Sequence, residues 1–160
     1  MSMAEIIELG KEHIDDSVFF NELRRLDREV FGHAAWGEDG FKASLLNSYD
    51  RVFVALGKSD EAGNSKKPLG FGIVRILDDA EIILIGVDAR YRQKGTGGIL
   101  LDRLVSTAAE QGAGAVFLEV RRSNAAAVSM YEKAGFAVER IREAYYSQPA
   151  EDAVIMKKLC

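Results

Sequence analysis

The 160-residue chain holds a single cysteine, Cys160. One thiol makes no intrachain disulfide and no cysteine cluster for zinc. Scarcity of cysteine suits a reducing compartment, so a cytoplasmic location is expected. Histidine is nearly as rare: His13 and His33 give no metal-ligand spacing, so both are expected at the surface and no metal is expected. No apolar run approaches the roughly 20 residues of a membrane span. Residues 1–5 also lack the basic-then-apolar pattern of a secretory signal. Positive charge is not in excess, since 21 Lys and Arg face 25 Asp and Glu for a net charge of −4, which argues against a general nucleic-acid binder. Internal repeats, linkers and low-complexity segments are missing as well. With 48% hydrophobic and 29% charged residues the composition is that of an ordinary globular chain, and its length fits one domain over 1–160. Such a domain buries roughly two-thirds of its unfolded surface.

The pattern along the chain alternates between periods. A strand is expected at 5–9, then a helix to about residue 31, with Asp15, Asp16 and Ser17 as cap candidates and Phe19, Leu23, Leu26 and Val30 as its apolar stripe. A short helix at 40–48 follows. Strands at 51–57 and 69–77 flank a polar segment at 59–68, expected to be an exposed hairpin loop. A strand at 81–87 leads into a helix at 97–111, which stops at Gly112, Ala113 and Gly114. After a strand at 115–120, a helix at 125–133 ends with Gly135 in the position just past its cap. Strands at 136–142 and 153–158 close the chain around a polar turn at 147–152. This β-α-α-β-β-β-α-β-α-β-β order implies an α/β (α+β) domain, a mixed sheet with helices on both faces.

The most informative stretch runs from Ile85 to Leu101, where an apolar strand passes through a basic, glycine-rich turn into a helix. A helix entered this way presents unpaired backbone N–H groups and the positive end of its dipole. Gly95, Gly97 and Gly98 remove Cβ atoms that would hold an anion away, and Arg90, Arg92 and Lys94 add positive charge. The segment therefore reads as a pyrophosphate cradle. A phosphate-binding P-loop needs Ser or Thr after Gly-Lys, and none follows. A dinucleotide fingerprint needs Gly or Ala where Leu100 stands, although Glu119 lies at a distance that imitates the ribose-binding acid. A glycine-rich turn that serves packing alone stays open as a further reading.

Arg92-Gln93-Lys94-Gly95-Thr96-Gly97 resembles the acetyl-coenzyme A loop of the GNAT N-acetyltransferases, Arg/Gln-x-x-Gly-x-Gly/Ala. A second block resembles the same family at the right distance: Leu118-Glu119-Val120-Arg121-Arg122-Ser123-Asn124-Ala125-Ala126-Ala127, then Met130-Tyr131-Glu132-Lys133-Ala134-Gly135-Phe136. With Ile141-Arg142, Tyr145-Tyr146 and Glu151-Asp152-Ala153, it is most similar to the ribosomal-protein-alanine type. The resemblance is specific from about residue 80 onward and thins upstream to Trp36 and the strand order. It implies a GNAT fold with about seven mostly antiparallel strands, and acetyl-coenzyme A as co-substrate. The implied reaction is direct transfer in a ternary complex to an amine, first a protein N-terminus. A lysine ε-amine or a small-molecule amine is the alternative, as is a non-catalytic acyl-coenzyme A-binding module.

The chemistry assigns roles to residues of both blocks. An amine attacks a thioester only when neutral, and an α-amine, with reference pKa about 7.7–8.0, is partly neutral at physiological pH, whereas a lysine, at about 10.4, is not. Glu119 interrupts an otherwise apolar central strand and is the candidate base, with a raised pKa if desolvated. A solvated or salt-bridged carboxylate at the strand's open end is the plain alternative. Tyr131 is the candidate acid, set against a merely core-packing role. The resemblance places the pantetheine arm along Ile85, Gly86 and Val87, and the pyrophosphate on Gln93, Lys94, Gly95, Thr96, Gly97 and Gly98. Arg92 and Lys94 either clamp phosphates or are solvated charges. Asn124 is a cofactor contact by resemblance and a helix cap by position. Tyr145 and Tyr146 are candidates for holding the acceptor's backbone, with packing as the alternative. Trp36 is expected to pack in the core first and to line the acceptor groove second.

Three departures from the ribosomal-protein-alanine pattern bear on substrate. Gly98 stands where that type often has arginine, Gly32-His33-Ala34-Ala35 precedes Trp36 without a Pro-Trp pair, and the turn at 147–151 is short. Expected partners are a protein N-terminus, possibly ribosomal, with no direct nucleic acid and no membrane. The expected state is a monomer or weak dimer.

Overall fold

The computed structural model describes residues 4–57 and 66–160, so residues 59–65 of the expected polar loop lie outside the described residues. The elements in chain order are β1 (Glu5–Leu9), α1 (Ser17–Phe31), α2 (Gly37–Leu46), β2 (Asp50–Leu56), β3 (Pro68–Ile76), β4 (Ala80–Val87), α3 (Thr96–Glu110), β5 (Ala115–Arg121), α4 (Ala125–Lys133), β6 (Ala137–Tyr146) and β7 (Glu151–Leu159). The strands form one sheet in the order β1-β2-β3-β4-β5-β7-β6. Only the β4–β5 pairing is parallel.

Two cores lie on the two faces of this sheet. On one, α1 and α2 bring Phe20, Leu23, Leu26 and Phe41 onto Val52, Val54, Phe71 and Ile73. On the other, α3 packs Leu100, Leu101, Leu104 and Ala108 against Phe53, Val74, Val116 and Leu118, with Tyr131 of α4 in the same cluster. Asp16 caps α1 by accepting the Phe19 N–H at 3.1 Å, as one of the three expected caps. The expected stripe faces the core: Leu23 and Leu26 are buried, Phe19 and Val30 pack against the same cluster, and Phe20 joins them. The second helix also begins three residues early. Asp27 is fully buried and accepts the N–H groups of Trp36 and Gly37, both at 2.9 Å, which fixes the start of α2. A buried carboxylate next to Leu26 has no signature in an amphipathic pattern, which explains why the expected start was late.

One irregularity positions everything that follows. β4 and β5 pair only at Ala80–Val116 and Glu81–Phe117. Just beyond, Ile83 is an extra residue in β4, since Ile73 pairs with Leu84 but Val74 with Ile82. A bulge of this kind bends its strand and increases the local twist. The two central strands therefore part, leaving the β5-facing edge of β4 from Ile82 to Val87 without a strand partner.

Candidate active site

The end of β4 leads into the glycine turn. Asp88 accepts the Arg90 N–H at 2.9 Å and pairs with its guanidinium at 2.7 Å, which anchors a short 3-10 turn over Ala89–Tyr91. That pairing holds the Asp88 carboxyl below its usual range, chiefly through the Arg90 hydrogen bond, and takes Arg90 out of the free charge of the loop. Arg92 is exposed and donates from Nε to the Val87 carbonyl at 3.1 Å, and Lys94 lies 5.5 Å from the Tyr91 ring.

Gly95 begins α3 with φ +85° and no side-chain cap, and Gln93 also has positive φ, at +62°. The backbone N–H groups of Thr96, Gly97 and Gly98 thus open the helix with no capping side chain, the condition for receiving an anion. The glycines serve different ends. A Cβ at Gly97 would come within 3.0 Å of Met130 Sδ in α4, so Gly97 lets the two helices close together. A Cβ at Gly98 would meet nothing within 4 Å, so no internal packing demands glycine there. Gly86 has a packing duty on the opposite face, where its Cβ would collide with Phe31 and Val30 at 2.8 Å. Uncapped amides, an open position at Gly98 and a free strand edge from Ile82 to Val87 fit a pyrophosphate with an extended arm.

Glu119 alternates with buried Leu118 and Val120 along β5, so it points to the opposite face from α3 and α4. The expectation of a desolvated carboxylate is not met. Its side chain is 25% exposed and pairs with Arg142 Nη1 at 3.4 Å. The neighbouring Glu81 carboxyl on β4 is pushed above its ordinary range, first by desolvation and then by the charge of Glu119. Both line a pocket of about 300 Å³ with Arg75, Phe117, Arg140 and Ile155.

Tyr131 sits on the other face of the parted strands. It is 6% exposed, its ring centroid is 6.0 Å from Phe136, and burial pushes its phenol up to about 12, with Tyr146 adding a smaller push. Tyr131 therefore packs in the core, and its burial makes the phenol a weaker acid than a free one. Asn124 caps α4 by accepting the Ala127 N–H at 3.1 Å, which leaves its amide N–H₂ for another partner.

Tyr145 and Tyr146 lie within β6, which runs four residues past the expected strand end. Arg142 pairs with Ala153 but Tyr146 with Glu151, so two extra residues bulge between them and Ala144 takes φ +50°. Tyr145 approaches the Glu119 carboxylate, which raises its phenol more than its own desolvation does. The Tyr146 phenol is raised as well, by desolvation and then by Glu119. Arg121, from the end of β5, stacks 4.4 Å from the Tyr146 ring and donates to the carbonyls of Ser147 (3.2 Å) and Pro149 (3.1 Å). It ties the short 147–151 turn to the site, a duty its motif did not reveal.

Trp36 packs against the α1–α2 core as expected, with its indole Nε1 buried and without a partner. His33 is exposed, but His13 is half-buried and accepts the Gly10 N–H at 3.0 Å, contrary to the expected surface position. Among the described residues no group of His, Cys, Asp and Glu forms a metal site, and no helix is long and apolar enough to cross a membrane.

Residues 17–136 match the acetyltransferase (GNAT) family. The chain belongs to this family. It is 41% identical over 93 residues to the ribosomal protein bS18-alanine N-acetyltransferase of Escherichia coli, a match covering 56% of this chain and 63% of that relative's length. It is 35% identical over 122 residues to a putative bS18-alanine N-acetyltransferase of Bacillus subtilis, covering 76% and 77% of the two chains. The crystal structure of the E. coli alanine N-acetyltransferase superposes with a TM-score of 0.78 at 28% identity, covering 98% of this chain and 94% of that one.

Proposed function

We propose that this protein transfers an acetyl group from acetyl-coenzyme A to the α-amine of a protein N-terminus, in the manner of the alanine N-acetyltransferases it is similar to. The observation that carries the reading is the gap between β4 and β5, with an uncapped amide cradle at one end and Glu119, Tyr145 and Tyr146 at the other. The likeness to enzymes named for N-terminal alanine supports the choice of an α-amine.

When bound, acetyl-coenzyme A supplies an activated thioester. Thr96, Gly97 and Gly98 would hold its phosphates by backbone N–H, and the free edge of β4 from Ile85 to Val87 would hold the pantetheine arm. Glu119, paired with Arg142, takes the proton of the attacking amine. An α-amine asks little of its base, so holding the amine in line contributes more to the rate than basicity does. Tyr145 and Tyr146 flank Glu119 and orient the acceptor's backbone. Tyr131 stays protonated far above neutral pH, so it meets the departing sulfur as a hydrogen-bond donor. A thiolate whose conjugate acid has a reference pKa of about 8.5 is too weak a base to keep the proton of a phenol near 12, so Tyr131 holds the departing thiolate by its hydrogen bond and the sulfur's proton comes from water.

Purified protein given acetyl-coenzyme A and a panel of acceptors tests the reading. Thiol release is expected with peptides bearing a free α-amine and not with the same peptides blocked. Release only with lysine side chains or small amines would move the acceptor class. Tight coenzyme binding without release to any acceptor would leave a binding module.

A further inference from the structure

Arg142 is the one ion-pair partner of Glu119 among the described residues. The two side chains belong to strands that are not neighbours, since β7 lies between β5 and β6. In the sheet's register Glu119, Ile155 and Arg140 form one row, and Arg121, Ala153 and Arg142 form the next. Arg142 therefore reaches diagonally across β7, a span of two strand spacings or about 9.5 Å. The residue in its own row on β7 is Ala153, fully buried and small enough to leave that path open. On the way its guanidinium passes 4.2 Å from the Tyr145 ring. It thus touches both the candidate base and a candidate acceptor-holding residue.

Of the other charges facing Glu119, one is of the wrong sign, two are engaged elsewhere, and Arg140 makes no pair with it. Glu81 from β4 is a second carboxylate, and its own rise is partly due to Glu119. Arg75 from β3 is held bidentate by Asp50 at 2.7 and 2.9 Å. Arg121 from β5 is occupied by Glu151, two carbonyls and the Tyr146 ring. From β6, Arg140 lines the same pocket without pairing with Glu119, Tyr145 hydrogen-bonds the carboxylate, and Tyr146 is a neutral phenol near it. β7 contributes the apolar Ile155 beside it.

We propose that Arg142 is a positioning residue for the base: reaching over Ala153, it holds the Glu119 carboxylate ionised and aimed against the repulsion of Glu81. This inference rests on the reading of Glu119 as the base. Without Arg142 the carboxylate loses its ion pair while the like charge of Glu81 stays, and a like charge favours the protonated form.

The test is the pH dependence of kcat/KM for the wild type, Arg142→Gln, Arg142→Lys and Glu119→Gln, with a peptide bearing a free α-amine. Protonation of the amine makes the rate fall tenfold per pH unit, and protonation of Glu119 doubles that slope at lower pH. In Arg142→Gln the doubling is expected to begin about one pH unit higher. Its kcat should fall by about tenfold or more, with KM for acetyl-coenzyme A within about twofold of wild type. Arg142→Lys should restore most of the shift. The Arg142 side chain is 44% exposed, so these variants are expected to fold. Ala153→Val keeps both charges but obstructs the path, and should move the break in the same direction. An unmoved break in Arg142→Gln, or Lys no better than Gln, overturns the inference while Glu119 stands as the base. Full activity in Glu119→Gln removes the base itself and the inference with it.

Discussion

Tyr131 shows how one buried side chain couples fold to chemistry. Its phenol is about two pK units higher in the folded chain than in the unfolded one. The group is neutral in both states below pH 10, so its contribution to stability is constant there. Between about pH 10 and 12 the unfolded chain releases the proton and the folded chain keeps it, so stability falls as pH rises. The loss is roughly 3 kcal/mol. Tyr131→Phe removes it, and urea melts at pH 9 and pH 11.5 should show a smaller alkaline drop for the variant than for wild type. In the assay at neutral pH, Tyr131→Phe and Glu119→Gln should both lower turnover by about 10²-fold or more while acetyl-coenzyme A binding stays near wild type. Calorimetric loss of coenzyme affinity in either variant would assign that residue to structure. Asp27 is the residue-scale counterpart in the core. Asp27→Ala leaves the half-buried N–H groups of Trp36 and Gly37 unpaired, and should cost about 1–3 kcal/mol in thermal or denaturant unfolding.

Among the elements, the turn into α3 separates conformational from ligand demands on glycine. Gly95 sits at φ +85°, so Gly95→Ala is expected to cost about 1 kcal/mol or more and to weaken coenzyme binding as the cradle shifts. Gly98→Ala meets no neighbour and should leave the melting temperature unchanged, so any loss of coenzyme affinity measured by calorimetry then reports the closeness of the phosphate. Helix and strand identities were legible because each carries a clear period. The apolar stripe of α3 and the run Val52, Phe53, Val54 and Ala55 in β2 are examples. The Gly95 turn was legible because only glycine enters a helix that way without strain. The Ile83 bulge in β4 was not, since an extra apolar residue inside an apolar strand leaves the pattern unbroken. The length of β6 was missed for a related reason: two bulged residues before Tyr146 break the alternation that marks a strand.

On the scale of the whole molecule, the sheet opens at its centre and presents different chemistry on its two faces. Tyr131 and the start of α3 stand on one face, and Glu119 with Arg142 and Tyr145 on the other. Which carboxylate, arginine and tyrosine would share a site depends on register across β5, β7 and β6, and linear spacing does not encode it. Glu119 and Tyr131 are candidates that the second motif supplies, whereas the approach of Arg142 to Glu119 is visible only in the register. The outer edge of β6 is exposed along nearly its whole length, but its two bulges and Glu139, Arg140, Arg142 and Glu143 work against strand addition there. The central claim is that this gap delivers an acetyl group to an N-terminal amine. Its most direct test is fragmentation mass spectrometry of one peptide carrying both an N-terminal alanine and an internal lysine, after incubation with the protein and acetyl-coenzyme A. A single acetyl group on the alanine nitrogen is the expected result. Acetylation confined to the lysine, or no acetylation at saturating coenzyme, would contradict it.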